Sequence, residues 1–184
     1  MPSYVAFLRA INLGATRKFP KDDIKAAVES VGCTDVATHI NTGNVLLTTR
    51  MRSRPKLEAT LEEAFAADRG FEVPTIVYTL DELVDLAADT ERLAAPGSDR
   101  HYVTLLKQQP SAKAVEALAA LEYAGEHGEV SSRAVHLSFT ESAYHSVKLS
   151  NAALEKLFGV ATTRDAKVIR ALATKWGGGQ PRRR

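Results

Sequence analysis

The feature that most constrains this fold is a predicted β-hairpin close to the start of the chain. Two apolar runs rich in β-branched residues, 36–40 and 45–49, flank the turn Asn41-Thr42-Gly43-Asn44. Glycine adopts a positive φ at low cost, and asparagine tolerates tight turns, so these residues suit a hairpin turn. A hairpin joins antiparallel strands, so it fixes the direction of the elements on either side.

The first 79 residues follow one simple order of elements. A continuous apolar run at 4–9 predicts a buried strand, and helical spacing follows at 20–32 and 54–69. With the hairpin between the helices and a strand at 73–79, the order is strand, helix, strand, strand, helix, strand. This is the βαββαβ pattern of a ferredoxin-like sandwich.

The second half repeats that order. The predicted elements are a strand at 101–107, a helix at 111–121, a turn at 125–128, strands at 129–131 and 134–140, a helix at 151–158, a strand at 160–163 and a last helix at 165–176. We therefore predict an α+β fold of two tandem ferredoxin-like subdomains with a C-terminal helix. The predicted divisions are 1–79, a connecting segment at 80–100 in which a short helix ends at about residue 88 and a polar loop follows, 101–176, and a flexible basic tail at 177–184.

Composition excludes several classes of protein. The 184 residues are 45% hydrophobic and 25% charged, the balance of an ordinary globular protein, and no apolar run is long enough to span a bilayer. We therefore predict a cytosolic protein without a membrane partner. The net charge is +2, and Arg182-Arg183-Arg184 supply three positive charges, so the body is nearly neutral and poorly suited to broad capture of nucleic acid.

Metal and cofactor sites are not predicted. The single Cys33 excludes an internal disulfide and a thiolate zinc cluster, and the five histidines have no metal-ligand spacing. His39 and His136 alternate with apolar neighbours, which is typical of a strand face. No phosphate-binding or dinucleotide-binding glycine motif and no serine-nucleophile motif occurs.

Strand direction predicts a first polar cluster. The loop after the first strand and the hairpin turn lie at the same end of the sheet. This end brings together the candidate residues Arg9, Asn12, Gly14, Asn41, Thr42 and Asn44. These residues either form hydrogen bonds with the loop backbone and hold the hairpin in place, or bind a phosphate or carboxylate group.

The same argument predicts a second polar cluster in the other half, with Lys148 near Thr163 and Arg164. Ser150 can cap the helix that follows, and this helix start with the two cations forms a candidate anion seat. The alternative is that the cations cap or pair locally, with Asp165 as the nearest carboxylate.

These segments resemble a known family. Arg9-Ala10-Ile11-Asn12-Leu13-Gly14, Ile40-Asn41-Thr42-Gly43-Asn44, Lys148-Leu149 and Thr162-Thr163-Arg164 are similar to the markers of the DUF1697 family, and the likeness extends over residues 3–176. The resemblance implies two tandem ferredoxin-like subdomains and no established activity.

The chain departs from the family pattern at three places. Ala10 stands where the family's first marker has glycine, and Asn41-Thr42 stand where it has glutamine-serine. The family's last marker reads threonine-arginine-asparagine-tryptophan-asparagine-threonine, whereas this chain has Asp165-Ala166-Lys167-Val168 after Thr163-Arg164. If those amides and the tryptophan form a ligand site in relatives, this chain has altered or lost it.

Two functional hypotheses follow, with an enzyme of unassigned class as a third. The favoured one is a binding module for a small anionic ligand, bearing phosphate or carboxylate, seated between the two halves. The alternative is nucleic-acid binding on an open sheet face, but the third strand, 45–49, lacks the aromatic residues on which bases stack. The sequence selects neither a reaction nor an oligomeric state.

Overall fold

The computed structural model describes residues 1–144 and 146–179. Contacts within the chain divide it into two compact units, unit 1 (Met1–Leu80) and unit 2 (Asp81–Arg184). In the predicted tail, Gly177–Gly179 form a short 3-10 helix, and the rest of the tail lies outside the described residues, as does His145.

Unit 1 contains four strands and two helices. They are β1 (Ser3–Leu8), α1 (Lys21–Ser30), β2 (Thr34–His39), β3 (Asn44–Thr48), α2 (Arg54–Arg69) and β4 (Thr75–Thr79). The strands form one antiparallel sheet in the order β2-β3-β1-β4, called here the first sheet. The Ser53 side chain accepts a bond from the Lys56 N–H at the start of α2, and Gly70, at φ +73°, ends it.

Strand alternation places one row of β1 side chains against the helices of unit 1. Tyr4, Ala6 and Leu8 share a buried cluster with residues of α1 and α2 such as Phe65. The other row is buried too, since Val5 and Phe7 are 0% exposed. Both faces of the first sheet are therefore closed to solvent around β1.

The edge strand β2 is irregular. Its pairing with β3 shifts register between Thr34 and Ala37, and Asp35 lies in this stretch with a φ of +53°. This is the geometry of a β-bulge, in which an extra residue bends the strand and increases its twist.

Unit 2 contains the remaining elements. They are α3 (Leu80–Arg92), β5 (Arg100–Leu106), α4 (Ala112–Ala119), β6 (Glu126–Ser131), β7 (Ala134–Phe139), α5 (Glu141–Tyr144), α6 (Asn151–Phe158), β8 (Ala161–Asp165) and α7 (Ala166–Trp176). The strands form the second sheet, which is antiparallel in the order β6-β7-β5-β8.

Three elements of unit 2 differ from the sequence-based prediction by more than two residues at an end or were not predicted at all. Helix α3 continues to Arg92, beyond the predicted end at 88. Strand β6 begins at Glu126, within the stretch predicted as a turn. The short helix α5 was not predicted, because four residues carry too little periodicity to detect.

The second sheet is covered on both faces. Leu106, Leu137 and Phe139 pack with α4 and α6 on one face. Helix α7 contacts β5 and β8. Because strand residues alternate between faces, His101 and Val103 of β5 lie opposite the α4–α6 cluster.

The predicted α+β class is confirmed as a mixed fold with two four-stranded antiparallel sheets and seven α-helices among the described residues. Of these helices, none has the length and apolar content that crossing a bilayer requires.

Candidate functional site

In unit 1 the loop after β1 lies against the hairpin turn. The side-chain amide of Asn12 donates to the Asn41 carbonyl at 2.7 Å, and the Leu8 N–H donates to the Gly43 carbonyl at 2.8 Å. Gly43 has a φ of +76°, and a Cβ added there would lie 2.7 Å from the Leu8 Cβ. Only glycine fits this close approach of the two loops.

The asparagines of this cluster use their side chains internally. Asn12 Oδ1 accepts from the Phe19 N–H at 2.9 Å. Asn44 is the first residue of β3 rather than a turn residue, is 0% exposed, and donates to the His39 carbonyl and to Thr42 Oγ1. These contacts favour the structural interpretation, in which the asparagines hold the hairpin in place.

The remaining candidates of unit 1 lie beside them. Arg9 is half-buried, and its N–H donates to the Pro74 carbonyl at 2.9 Å. Gly14 is exposed, with open space around it.

The predicted anion seat before α6 is occupied by a carboxylate of the chain itself. The Glu126 carboxylate accepts the N–H groups of Lys148, at 2.8 Å, and Leu149, at 2.8 Å. Ser150 caps α6 by accepting from the Ala153 N–H. The prediction missed Glu126 because it placed this residue in a turn, whereas it begins the edge strand β6.

Thr163 and Arg164 lie on β8 and bond to near neighbours. Thr163 Oγ1 is bonded to Asn151 Oδ1 at 3.0 Å and to Thr104 Oγ1 at 2.8 Å. Arg164 is 8% exposed, and its Nη1 donates to Thr162 Oγ1 at 2.8 Å. Burial lowers the pKa of Arg164 to about 10, so the group stays charged at neutral pH.

A pocket of about 470 Å³ opens in unit 2 where β8 ends and α7 begins. This volume is within the range of small-molecule sites. The residues that line it include three cations, three carboxylates and a histidine: Arg100, Lys167, Arg170, Asp99, Glu141, Asp165 and His101. Three of the positions at which the chain departs from the family's last marker, 165–167, are therefore part of the lining.

The carboxylates of this pocket have partners within the chain. Asp165 caps α7 by accepting the Lys167 N–H at 2.7 Å. Asp99 accepts the Glu141 N–H at 2.8 Å, and the Glu141 carboxylate pairs with Arg100 at 3.3 Å. Lys167 and Arg170 lie one turn apart on α7, and Arg170 Nη1 donates to Thr90 Oγ1 at 3.0 Å. They are the cations of the lining best placed to bind a ligand.

A pair of histidines lies at the pocket, the half-buried His101 in its wall and the buried His136 beneath. His101 Nε2 and His136 Nδ1 are 3.3 Å apart, and His136 is only 1% exposed. Burial lowers the pKa of both, that of His136 to about 4, and the charge of Arg170 further lowers the pKa of His101. Both side chains are therefore neutral at pH 7.

Sequence reasoning missed this pair. The alternation around His136 correctly indicated a strand face, but His101 pairs with Ser138 in the sheet and reaches His136 diagonally. That contact depends on the register of β5 against β7, which no local pattern in the sequence specifies.

The geometry does not favour nucleic-acid binding on the first sheet. On the face of this sheet opposite α1 and α2, the rings of Phe7 and Tyr78 pack edge to face with centroids 5.9 Å apart. Both are buried, at 0% and 2% exposure, so bases cannot stack on them.

Comparisons with known proteins identify the fold without an activity. A family model described as "Protein of unknown function (DUF1697)" matches residues 1–136. The first two markers of the resemblance lie inside this match, and those around Lys148 and Thr163 lie beyond it.

A solved structure described as that of the conserved bacterial protein SP0830 from Streptococcus pneumoniae is similar to the chain with a TM-score of 0.73 and 23% identity. The similarity covers 94% of this chain and 97% of that one, and at this identity it shows the fold alone. A search of curated proteins gives no match.

Proposed function

The chain belongs to the DUF1697 family, whose function is unknown, and from that premise we propose that it binds a small anionic ligand in the pocket of unit 2. The observation that carries the proposal is the position of Lys167 and Arg170 on the pocket wall, beside carboxylates that already have partners. Cations one turn apart on a helix suit a phosphate or a carboxylate group.

The site is a revision of the sequence-based hypothesis. That hypothesis seated the anion between the two halves, on Arg9, the asparagine loops and the Lys148–Arg164 end. The internal bonds of Asn12 and Asn44, and the Glu126 carboxylate on the Lys148 N–H, favour the pocket within unit 2 instead. Thr163 and Arg164 directly precede the residues 165–167 that line this pocket.

The fold proposal is more specific than the confirmed class. We propose that residues 1–79 and 101–176 are ferredoxin-like subdomains joined by 80–100. The strand orders β2-β3-β1-β4 and β6-β7-β5-β8 support this topology in both units. The cytosolic location stays a prediction.

Thermal unfolding with inorganic phosphate and with sulfate tests the binding proposal. A ligand that binds only the native state stabilises it, by about 2.7 kcal/mol at a hundredfold excess over Kd. We expect both anions to raise Tm, and we expect Lys167→Gln and Arg170→Gln each to reduce this shift. Lys156→Gln, which removes one positive charge from the exposed end of α6, is the matched control and should keep it.

Two further variants separate the pocket from the polar loops. If Arg9→Ala and Lys148→Ala abolish the shift while Lys167→Gln keeps it, the ligand binds at the loops and the pocket assignment is wrong. If neither anion stabilises the wild type, the anion-binding proposal fails.

A further inference from the structure

The hydrogen bonds of the His101–His136 pair assign the position of each ring proton. The Thr90 backbone raises the pKa of His101, which is the effect of a carbonyl that accepts the proton of one ring nitrogen, and since Nε2 faces His136, that nitrogen is Nδ1. A bond from Nδ1–H to a backbone carbonyl leaves Nε2 bare in the neutral ring. Nε2 must then accept from His136, whose proton is on Nδ1.

This assignment leaves one nitrogen of the pair unused. His136 Nε2 carries no proton, is buried, and has no hydrogen-bond partner among the residues that the structure describes. A buried polar atom without a partner is uncommon and is often associated with a functional site. A further proton can bind the pair at His136 Nε2. A proton added to His101 Nε2 instead would face the N–H of His136 Nδ1, and the two N–H groups would repel each other.

The charged groups around the pair act on it in opposite directions. The charged groups that face it are Asp89 and Arg92 of α3, Glu129 opposite His136 on β6, Arg164 and Asp165 of β8, and Lys167 and Arg170 of α7. Arg170 opposes the charge on His101, whereas Asp89 favours it on His136. An anion bound by Arg170 would offset the opposing charge.

We infer that the pocket takes up its anion together with a proton, which the His101–His136 pair holds. The proton binds His136 Nε2, and the bridging proton moves from His136 Nδ1 to His101 Nε2. The positive charge can thus form on the ring that lines the pocket, while His101 keeps its bond to Thr90. This inference rests on the proposed function, because the anion must first bind in the pocket.

Titration calorimetry of the full chain with sulfate measures this coupling. Sulfate stays a dianion throughout the range used, so any proton taken up comes to the protein. The heat of binding at pH 6 in two buffers of different ionisation enthalpy gives the number of protons taken up. We expect about half a proton for the wild type and about fivefold tighter binding at pH 5.5 than at pH 8.

A conservative variant tests the role of the pair. His136→Asn keeps an N–H donor toward His101 but has no nitrogen that titrates. We expect it to take up no proton and to lose the change in affinity with pH. His127→Asn, which removes an exposed histidine of β6, should behave as the wild type does.

The outcomes distinguish this inference from the proposed function. If sulfate does not bind the wild type at either pH, the proposed function fails. If it binds with equal heat in the two buffers, or if His136→Asn retains the uptake, the proton inference is wrong and anion binding stands. Should His136→Asn not fold, nitrogen NMR of the wild-type histidines must show His136 Nε2 bare without sulfate and protonated with it at pH 6.

Discussion

Units 1 and 2 have the same order of strands in their sheets but treat buried polar groups differently. In unit 1 the buried polar side chain of Asn44 joins parts of the hairpin, and the β1 row Tyr4, Ala6 and Leu8 lies in an apolar core. In unit 2 the face of the sheet opposite α4 and α6 carries two ionisable side chains, His136 and Arg164, at most 8% exposed.

This difference in buried ionisable groups indicates which part of such a fold can hold a functional site. Burying an ionisable group lowers stability unless partners compensate, so a packed face seldom retains one without a use. Unit 1 buries an ionisable group as well, Glu58 at 2% exposure, but its carboxylate accepts the Val77 N–H at 2.9 Å. In unit 2 the buried His136 keeps one ring nitrogen without a hydrogen-bond partner among the described residues, and this departure from stability lies beside the pocket, as is common for sites on folds that support many activities.

The chain contains a separate reporter for each unit. Its one cysteine, Cys33, is 3% exposed in unit 1, and its one tryptophan, Trp176, is 7% exposed in unit 2. Burial raises the pKa of the Cys33 thiol, so it should react with thiol reagents only when unit 1 opens. Thiol labelling and tryptophan fluorescence can therefore follow the two units independently.

The largest effect is expected at the loop contact of unit 1. Gly43→Ala places a Cβ 2.7 Å from the Leu8 Cβ and 2.8 Å from the Ile11 Cδ1, at a φ of +76°. We expect a loss of about 4 kcal/mol, the sum of an overpacking cost and a left-handed backbone cost, measured by denaturant-dependent labelling of Cys33.

Gly14→Ala is the matched control for that variant. Gly14 has a φ of +62° but nothing within 4 Å of an added Cβ, so its loss should be about 1 kcal/mol. Equal losses at the two glycines would mean that backbone conformation alone explains both, and that the close contact of the loops has no energetic importance.

The next effect is a pH dependence confined to unit 2. The folded protein holds the pKa of His136 at about 4, whereas an unfolded histidine titrates near its ordinary value of 6.5. The unfolded chain then binds the extra proton between these values, so stability is full above pH 6.5 and falls as the pH drops toward 4. A difference of this size corresponds to about 3 kcal/mol.

Urea unfolding followed by Trp176 fluorescence at several pH values checks this expectation. His136→Asn should remove most of the loss between pH 6.5 and 4, and His127→Asn should retain it. The same loss in wild type and His136→Asn would place the acid sensitivity elsewhere in the chain.

The smallest effect should be a gain in unit 1. Ala10 has a φ of +56°, a conformation that costs a residue with a Cβ roughly 1 kcal/mol or more. It stands where the family's marker has glycine. Ala10→Gly should therefore raise the free energy of unfolding of unit 1 by up to about 1 kcal/mol, measured by Cys33 labelling. If the variant is less stable than the wild type, the Ala10 methyl group makes a contact that stabilises the fold by more than the backbone conformation costs.

The sequence predicted the fold in the places where local signals are strong. Helix α6 was predicted with its observed bounds, because Ser150 and Gly159 mark its two ends and the apolar spacing between them is regular. Strand β6 was misplaced because Glu126-His127-Gly128 has the composition of a turn, and only pairing with β7 makes it a strand.

The candidate site was harder to predict than the fold. Lys167 and Arg170 look like ordinary solvent-facing residues of an amphipathic helix, and the pocket beside them is formed by segments distant in sequence. The His101–His136 contact depends on register across two strands. These features arise from tertiary pairing, which single-sequence patterns do not encode.

The bulge in β2 has a consequence for the protein in a crowded solution. An open sheet edge is a template on which a second chain can add a strand and begin a fibril. The register shift between Thr34 and Ala37, with Asp35 at a positive φ, interrupts the straight row of donors and acceptors that such growth requires. This edge of the first sheet therefore resists aggregation through its backbone geometry.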